Sequence, residues 1–191
     1  ISERKVTRGK IKKPAVIGYR NLISRFHTPG GVFRASSSDL EKVEGIRSRA
    51  IQGIREFKQA VRVERELELM QQHGVQLVPF LDDAYPANLL TIYDPPPCLY
   101  VKGELRREDN RAVAVVGSRF ASSYGKMVTE RISRDIARQG ITIVSGMARG
   151  IDTSAHRGAL SVKRRTIAVL GCGVDVTYPL ENIKLKDEIA S

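Results

Sequence analysis

From residue 111 onward the apolar positions recur in a fixed order. Three short runs rich in β-branched residues, at 112–116, 141–145 and 166–170, alternate with stretches of helical spacing at 124–139 and 151–161. Each run feeds a glycine-bearing loop: Gly117-Ser118-Arg119, then Ser145-Gly146-Met147-Ala148-Arg149-Gly150, then Gly171-Cys172-Gly173-Val174-Asp175. Gly140 closes the first helical stretch, and a last helix is predicted from residue 181. A β-α-β-α-β-α order with short loops predicts an α/β fold, a doubly wound and mostly parallel sheet with right-handed crossovers. Its three loops should then meet along one edge, where such folds bind ligands.

The first part of the chain lacks strand patterning. Residues 14–26 carry a weak helical pattern, which Thr28-Pro29-Gly30-Gly31 is expected to interrupt. Ser36-Ser37-Ser38-Asp39 offers an N-cap ahead of Leu40 and Val43, and Glu44-Gly45-Ile46-Arg47 reads as a hairpin. Helix resumes through Ala50, Ile51, Ile54 and Phe57. An apolar-x-Gly-apolar turn between short helices is similar to a helix-hairpin-helix unit. It lacks the second glycine of a DNA-gripping hairpin, which favours a structural role. Residues 61–73 form a charged helix closed by Gly74, followed by a strand at 75–78. Residues 82–90 and Pro95-Pro96-Pro97 are expected to resist regular structure, before a strand at 99–101 and a charged turn at 103–110. The division that follows is an arm at 1–13, a small helical domain at 14–60, a helix and Pro-rich connector at 61–110, and the sheet domain at 111–191.

Charge adds a partner to this picture. The net charge is +11 in 191 residues. Residues 1–13 hold six Lys/Arg and one acid; residues 14–109 hold thirteen of each sign; residues 110–191 hold thirteen basic and seven acidic side chains. The excess sits on the arm and on the domain bearing the loops, which points to a polyanion. No run approaches the roughly 18 apolar residues of a membrane span. The start has no apolar stretch of a signal peptide, and two cysteines, Cys98 and Cys172, make no metal or disulfide framework. A cytoplasmic protein without a membrane partner is expected.

The loops differ in what they offer. Gly117-Ser118-Arg119 supplies close backbone approach, a hydroxyl and a fork-shaped cation suited to a phosphodiester. In the second loop Ser145, Gly146, Ala148, Arg149 and Gly150 place small residues so that backbone N–H groups face an anion ahead of a helix. Asp152 and His156 lie four apart on one helix face, but no nucleophile or third ligand accompanies them. Asp152 reads as a loop brace and His156 as a packing residue. Gly171 and Gly173 begin a dinucleotide fingerprint, yet Val176 stands where its third glycine belongs, and no P-loop sequence exists. No cofactor, metal or catalytic residue is expected. Lys163, Arg164 and Arg165, at the opposite end of the sheet, would add general attraction, while Lys184 and Lys186 would extend the path of a bound strand.

Together these motifs resemble one family. Gly117-Ser118-Arg119, Ser145-Gly146-x-Ala148-x-Gly150-Ile151-Asp152 with His156, and Ala168-Val169-Leu170-Gly171-x-Gly173-x-Asp175 followed by Tyr178-Pro179-x-x-Asn182 are similar to the DprA/Smf proteins of bacterial transformation. Tyr85-Pro86, Leu89, Asp94-Pro95-Pro96 and Leu99-Tyr100-x-x-Gly103 resemble that family's entry into the sheet. The resemblance implies a Rossmann-like domain that binds single-stranded DNA without catalysis and loads the RecA recombinase. It also implies a homodimer in the full-length protein. Relative to that pattern the chain stops early, at Ser191, before later sheet strands and an Arg-Asn-Arg-rich motif. The competing readings are a phosphoribohydrolase-like enzyme, whose Pro-Gly-Gly-x-Gly-Thr loop has no counterpart in the sheet domain, and a nucleotide sensor on the same loops.

Overall fold

The computed structural model describes residues 14–57 and 60–191; the basic arm at 1–13 lies outside the described residues. Contacts divide the described chain into two units. One comprises the residues up to Val63 with Ile92–Pro97, and the other Glu64–Thr91 with Cys98–Ser191.

The first unit is helical: α1 (Pro14–Phe26), α2 (Pro29–Arg34), α3 (Ser37–Glu41) and α4 (Ser48–Arg55). Its core is Leu22, Ile23, Val32, Leu40, Val43 and Ile51. Thr28-Pro29-Gly30-Gly31 does more than interrupt. The Thr28 hydroxyl accepts from the Gly31 amide at 3.0 Å and Pro29 takes the first turn, where its missing donor costs nothing, so a new helix starts there. Ser36 caps α3 through the Asp39 amide at 3.2 Å. The hairpin glycine, Gly45, has φ 81°, and the Asn21 amide group donates to Glu44 O at 2.8 Å, tying the hairpin to α1.

The second unit opens with α5 (Ala60–His73), whose last residues belong to it, stopped by Gly74 at φ 62°. Strands β1 (Val75–Pro79) and β2 (Cys98–Lys102) pair antiparallel. Within residues 82–90, expected to be irregular, α6 (Ala87–Leu90) makes one turn behind Pro86. Asn88 fixes it by donating to Asn110 O at 2.9 Å.

The remainder is the predicted α/β, Rossmann-like arrangement. Strands β3 (Ala112–Ala114), β4 (Thr142–Ser145) and β5 (Thr166–Ala168) form one parallel sheet in the order β3-β4-β5. They alternate with α7 (Ser123–Arg138), α8 (Ile151–Leu160) and α9 (Ile183–Ala190). The strands are shorter than the apolar runs, but the pairing continues, with Val115 N bonding Val144 O at 2.9 Å and Val169 N bonding Ser145 O at 2.8 Å. Ala137, Ile143, Ala155 and Ala159 form the core between helices and sheet. Gly158 lets α7 and α8 approach: a Cβ there would strike Glu130 O and come within 2.9 Å of the Ser133 Cβ. Among the described residues no helix is long and apolar enough to cross a membrane.

The amino edge of this sheet is tied by Asp109. Its carboxylate receives the Arg165 guanidinium through two bonds of 2.9 and 2.8 Å, the Thr142 hydroxyl at 2.8 Å and the Arg106 amide at 2.8 Å. Burial alone would raise its pKa, but these donors hold the carboxyl below the ordinary range. Arg165, expected to serve general attraction, is therefore spent inside the fold, while Lys163 and Arg164 remain exposed.

Candidate nucleic-acid interface

The first two loops are joined backbone to backbone. The Ile151 amide, first of α8, donates to Ser118 O at 3.2 Å. Gly150 has φ 78°, and a Cβ on it would collide with Ser118 O and Arg119 O. A Cβ on Gly117 would in turn lie 2.7 Å from the Ile151 side chain. Glycine is needed at 150 for conformation and at both positions for approach. The Ser118 hydroxyl accepts from Phe120 N at 3.1 Å, which bends the loop so that Arg119 leaves it exposed. No ion pair or side-chain hydrogen bond engages the Arg119 guanidinium among the described residues.

The second loop is built from inside. Asp152, 7% exposed, accepts the Ala148 amide at 3.2 Å, and a Cβ on Gly146 would sit 2.8 Å from its Oδ2. The Ala148 carbonyl takes both the Thr153 amide and the Thr153 hydroxyl. Met147 is buried in the left-handed region at φ 63°, a conformation that carries strain for a residue with a Cβ. Asn182 donates to Met147 O at 3.0 Å and to Thr153 Oγ1 at 2.8 Å, so the turn Leu180–Asn182 after the third loop locks the second. The amides of Gly146, Met147, Arg149 and Gly150 bond no other described group. Unbonded amides beside a left-handed residue are donors available to an anion.

Several predicted site residues have internal duties instead. Ser145 is buried, and its hydroxyl donates to Val115 O at 2.6 Å across the sheet. The Ala148 amide belongs to Asp152. Arg149 forms a two-point pair with Glu181, Nε to Oε1 and Nη2 to Oε2, each 2.9 Å, and the carboxylate raises its pKa. Lys186 donates to Val176 O at 3.0 Å and supports the third loop, whereas Lys184 is exposed. Among the described residues Gly171 has nothing within 4 Å of a Cβ placed on it, and a Cβ on Gly173 meets its own loop, Asp175 and Val176. Loops one and two therefore form the built part of the candidate site. Glu181 and Asn182 were not singled out as site residues from the sequence. Asn182 lies within the Tyr178-Pro179-x-x-Asn182 element, and its place in that motif was the available signal; nothing announced Glu181.

Asp152 and His156 sit behind the loop. His156 is fully buried, its Nδ1 is 2.7 Å from Thr166 Oγ1, and that hydroxyl donates onward to Ile143 O at 2.8 Å. The hydroxyl proton being used, Nδ1 carries the hydrogen, and Nε2 is left without a partner among the described residues. Burial pushes the imidazole down to about 4, against the pull of Asp152. A neutral ring linking α8 to β5 and β4 fits the packing role expected of it.

The chain is 34% identical over 186 residues to Protein Smf of Synechocystis, across 95% of this chain and 47% of the relative. It is 46% identical over 111 residues to the DNA processing protein DprA of Streptococcus pneumoniae, across 58% and 39%. It thus spans about half the length of these curated relatives or less. The X-ray structure of the Streptococcus pneumoniae DprA superposes with a TM-score of 0.70 at 32% identity, covering 93% of this chain and 61% of that one. A Helicobacter pylori DNA processing protein A, studied for its single-stranded DNA binding mode, superposes at 0.51 and 33% identity, covering 61% and 52%. The pattern that defines DNA recombination-mediator protein A matches residues 76–191, the stretch holding all three loops and the Asn182 lock, and the chain accordingly belongs to this DprA/Smf family.

Proposed function

We propose that this chain binds single-stranded DNA at the joined first and second loops and acts within recombination mediation without turning over its ligand. The observation that carries the reading is the juxtaposition of an unengaged Arg119 with the unbonded amides of Gly146, Met147, Arg149 and Gly150, fixed by the Ser118–Ile151 bond. Amides and a guanidinium that meet phosphate oxygens carry no base information, so binding through them is insensitive to sequence and falls with salt. The Helicobacter pylori relative's single-stranded DNA binding supports the ligand class. Transfer of the strand to RecA, a homodimer in the full-length protein and a cytoplasmic setting complete the proposal on the strength of family membership. The non-catalytic reading is supported by Asp152 and His156, whose bonds point into the fold.

Fluorescence-anisotropy titration with labelled oligo-dT and with a duplex, each at two salt concentrations, tests the reading. The single strand should bind more tightly, with affinity falling as salt rises. Equal binding of the duplex, or none of either, would overturn it. Release of phosphate or ribose phosphate from nucleotides, lost in Asp152→Asn, would favour the phosphoribohydrolase reading instead.

A further inference from the structure

Arg149 lies at the mouth of the second loop, yet its guanidinium is occupied. Glu181 meets it with both carboxylate oxygens at 2.9 Å, the parallel geometry in which Arg also takes two oxygens of a phosphodiester. Both side chains are more than half exposed, at 57% and 56%, so the pair is solvated and readily exchanged. The glutamate's backbone is not free to drift, because its neighbour Asn182 is buried and bonded to Met147 O, two residues before Arg149. The carboxylate is thus held opposite the guanidinium from a fixed turn.

We propose that the Glu181 carboxylate occupies a second phosphodiester subsite at Arg149, and that a bound strand takes this subsite only by displacing it. The inference rests on the single-strand reading above and names a cation of the site whose contact is conditional. The first phosphate meets Arg119 and the loop amides without competition. A phosphate reaching Arg149 must exchange for a carboxylate, so Arg149 adds less to affinity than its charge implies. Glu181 then favours ligands long enough to hold the first subsite while the exchange occurs. A mononucleotide, with one phosphate, gains nothing from it.

The test is a set of anisotropy titrations with a long and a very short oligo-dT, across a salt series, on the wild type, Glu181→Gln, Arg149→Gln and the double variant. Both positions are exposed, and thermal midpoints should match the wild type. Glu181→Gln should tighten binding of the long strand about threefold at low salt and steepen the log-log salt slope by about 0.7, the increment of one further phosphate on a single strand. In the Arg149→Gln background the same change should alter affinity by less than about 1.5-fold, because the guanidinium that it releases is gone. An equal gain in both backgrounds would mean that Glu181 acts as a general negative charge, and would overturn the subsite. An unchanged slope in Glu181→Gln would overturn it as well. Failure of every variant, wild type included, to bind either strand would reject the single-strand reading itself.

Discussion

The Asn182 side chain donates to Met147 O at 3.0 Å from 35 positions further along the chain, holding a left-handed methionine at φ 63°. The same amide group reaches Thr153 Oγ1, and the asparagine is 2% exposed. Asn182→Ala leaves a buried carbonyl unsatisfied, which costs about 1–3 kcal/mol. Urea unfolding should show the lowered midpoint, and single-strand affinity should fall with it. A variant of unchanged stability would mean that the loop holds Met147 unaided.

Gly150→Ala should be felt at the ligand. The glycine has φ 78°, and its missing Cβ is the space that Ser118 O and Arg119 O occupy. A methyl there parts the two loops while leaving the Ala137–Ile143–Ala155 core untouched. We expect at least about a tenfold loss of oligo-dT affinity with a native circular dichroism spectrum, since strained backbone and collision act together. Wild-type affinity in a folded Gly150→Ala protein would remove the loop junction from the interface.

Arg119→Ala should weaken binding equally for all base sequences and reduce the salt slope by about 0.7. The guanidinium has no intramolecular partner among the described residues, so its removal should leave the unfolding midpoint within about 0.5 kcal/mol of wild type. A slope that does not change would place the first phosphate elsewhere.

Stability should depend on pH through His156. Its folded pKa, about 4, lies below the ordinary value of 6.5 because burial disfavours the charged ring. Between those values the unfolded chain binds the extra proton. This contribution is therefore complete above pH 6.5 and is lost progressively as pH falls towards 4, by on the order of 3 kcal/mol. Urea midpoints measured from pH 7.5 to 4.5 should fall, and His156→Gln should flatten that dependence. An equally steep profile in the variant would assign the proton uptake to other groups.

Gly158→Ala tests the helix seat. A Cβ would press on Glu130 O and on the Ser133 Cβ, so α7 and α8 must separate at a cost of about 1–3 kcal/mol. Thermal unfolding should register it, and a neutral outcome would show that α7 yields at no cost.

The backbone plan was readable because it is local. β-branched runs followed by glycine, and helices stopped by Gly74 and Gly140, announce themselves within a few residues. Even Thr28 and Pro29 carried a helix-start signal, which the two following glycines obscured. The side-chain commitments were not readable. Arg149 and Glu181 are 32 positions apart, and Arg165 and Asp109 are 56 apart. Which cation is spent internally depends on which loops the sheet brings together, so the sequence separates Arg165 from the loop arginines by position but does not show that Arg149 and Arg165 are paired while Arg119 is not. Ser145 likewise appears as a loop hydroxyl until its bond to Val115 O is seen.

The two ends of the parallel sheet are fastened by different means, and this has a mechanical consequence. At the amino end the four bonds of Asp109 grip Arg106, Thr142 and Arg165 ahead of or at the start of the three strands. At the carboxyl end the first two loops meet through main-chain atoms and glycine contacts, and the Ser145, Asp152 and Asn182 side chains brace the second loop one bond or two at a time. On the proposed reading, a pull on a bound strand would load the carboxyl end, while the sheet stays clamped at its base like a comb held by its spine. Small adjustments of the loops to a passing phosphate need not disturb strand register.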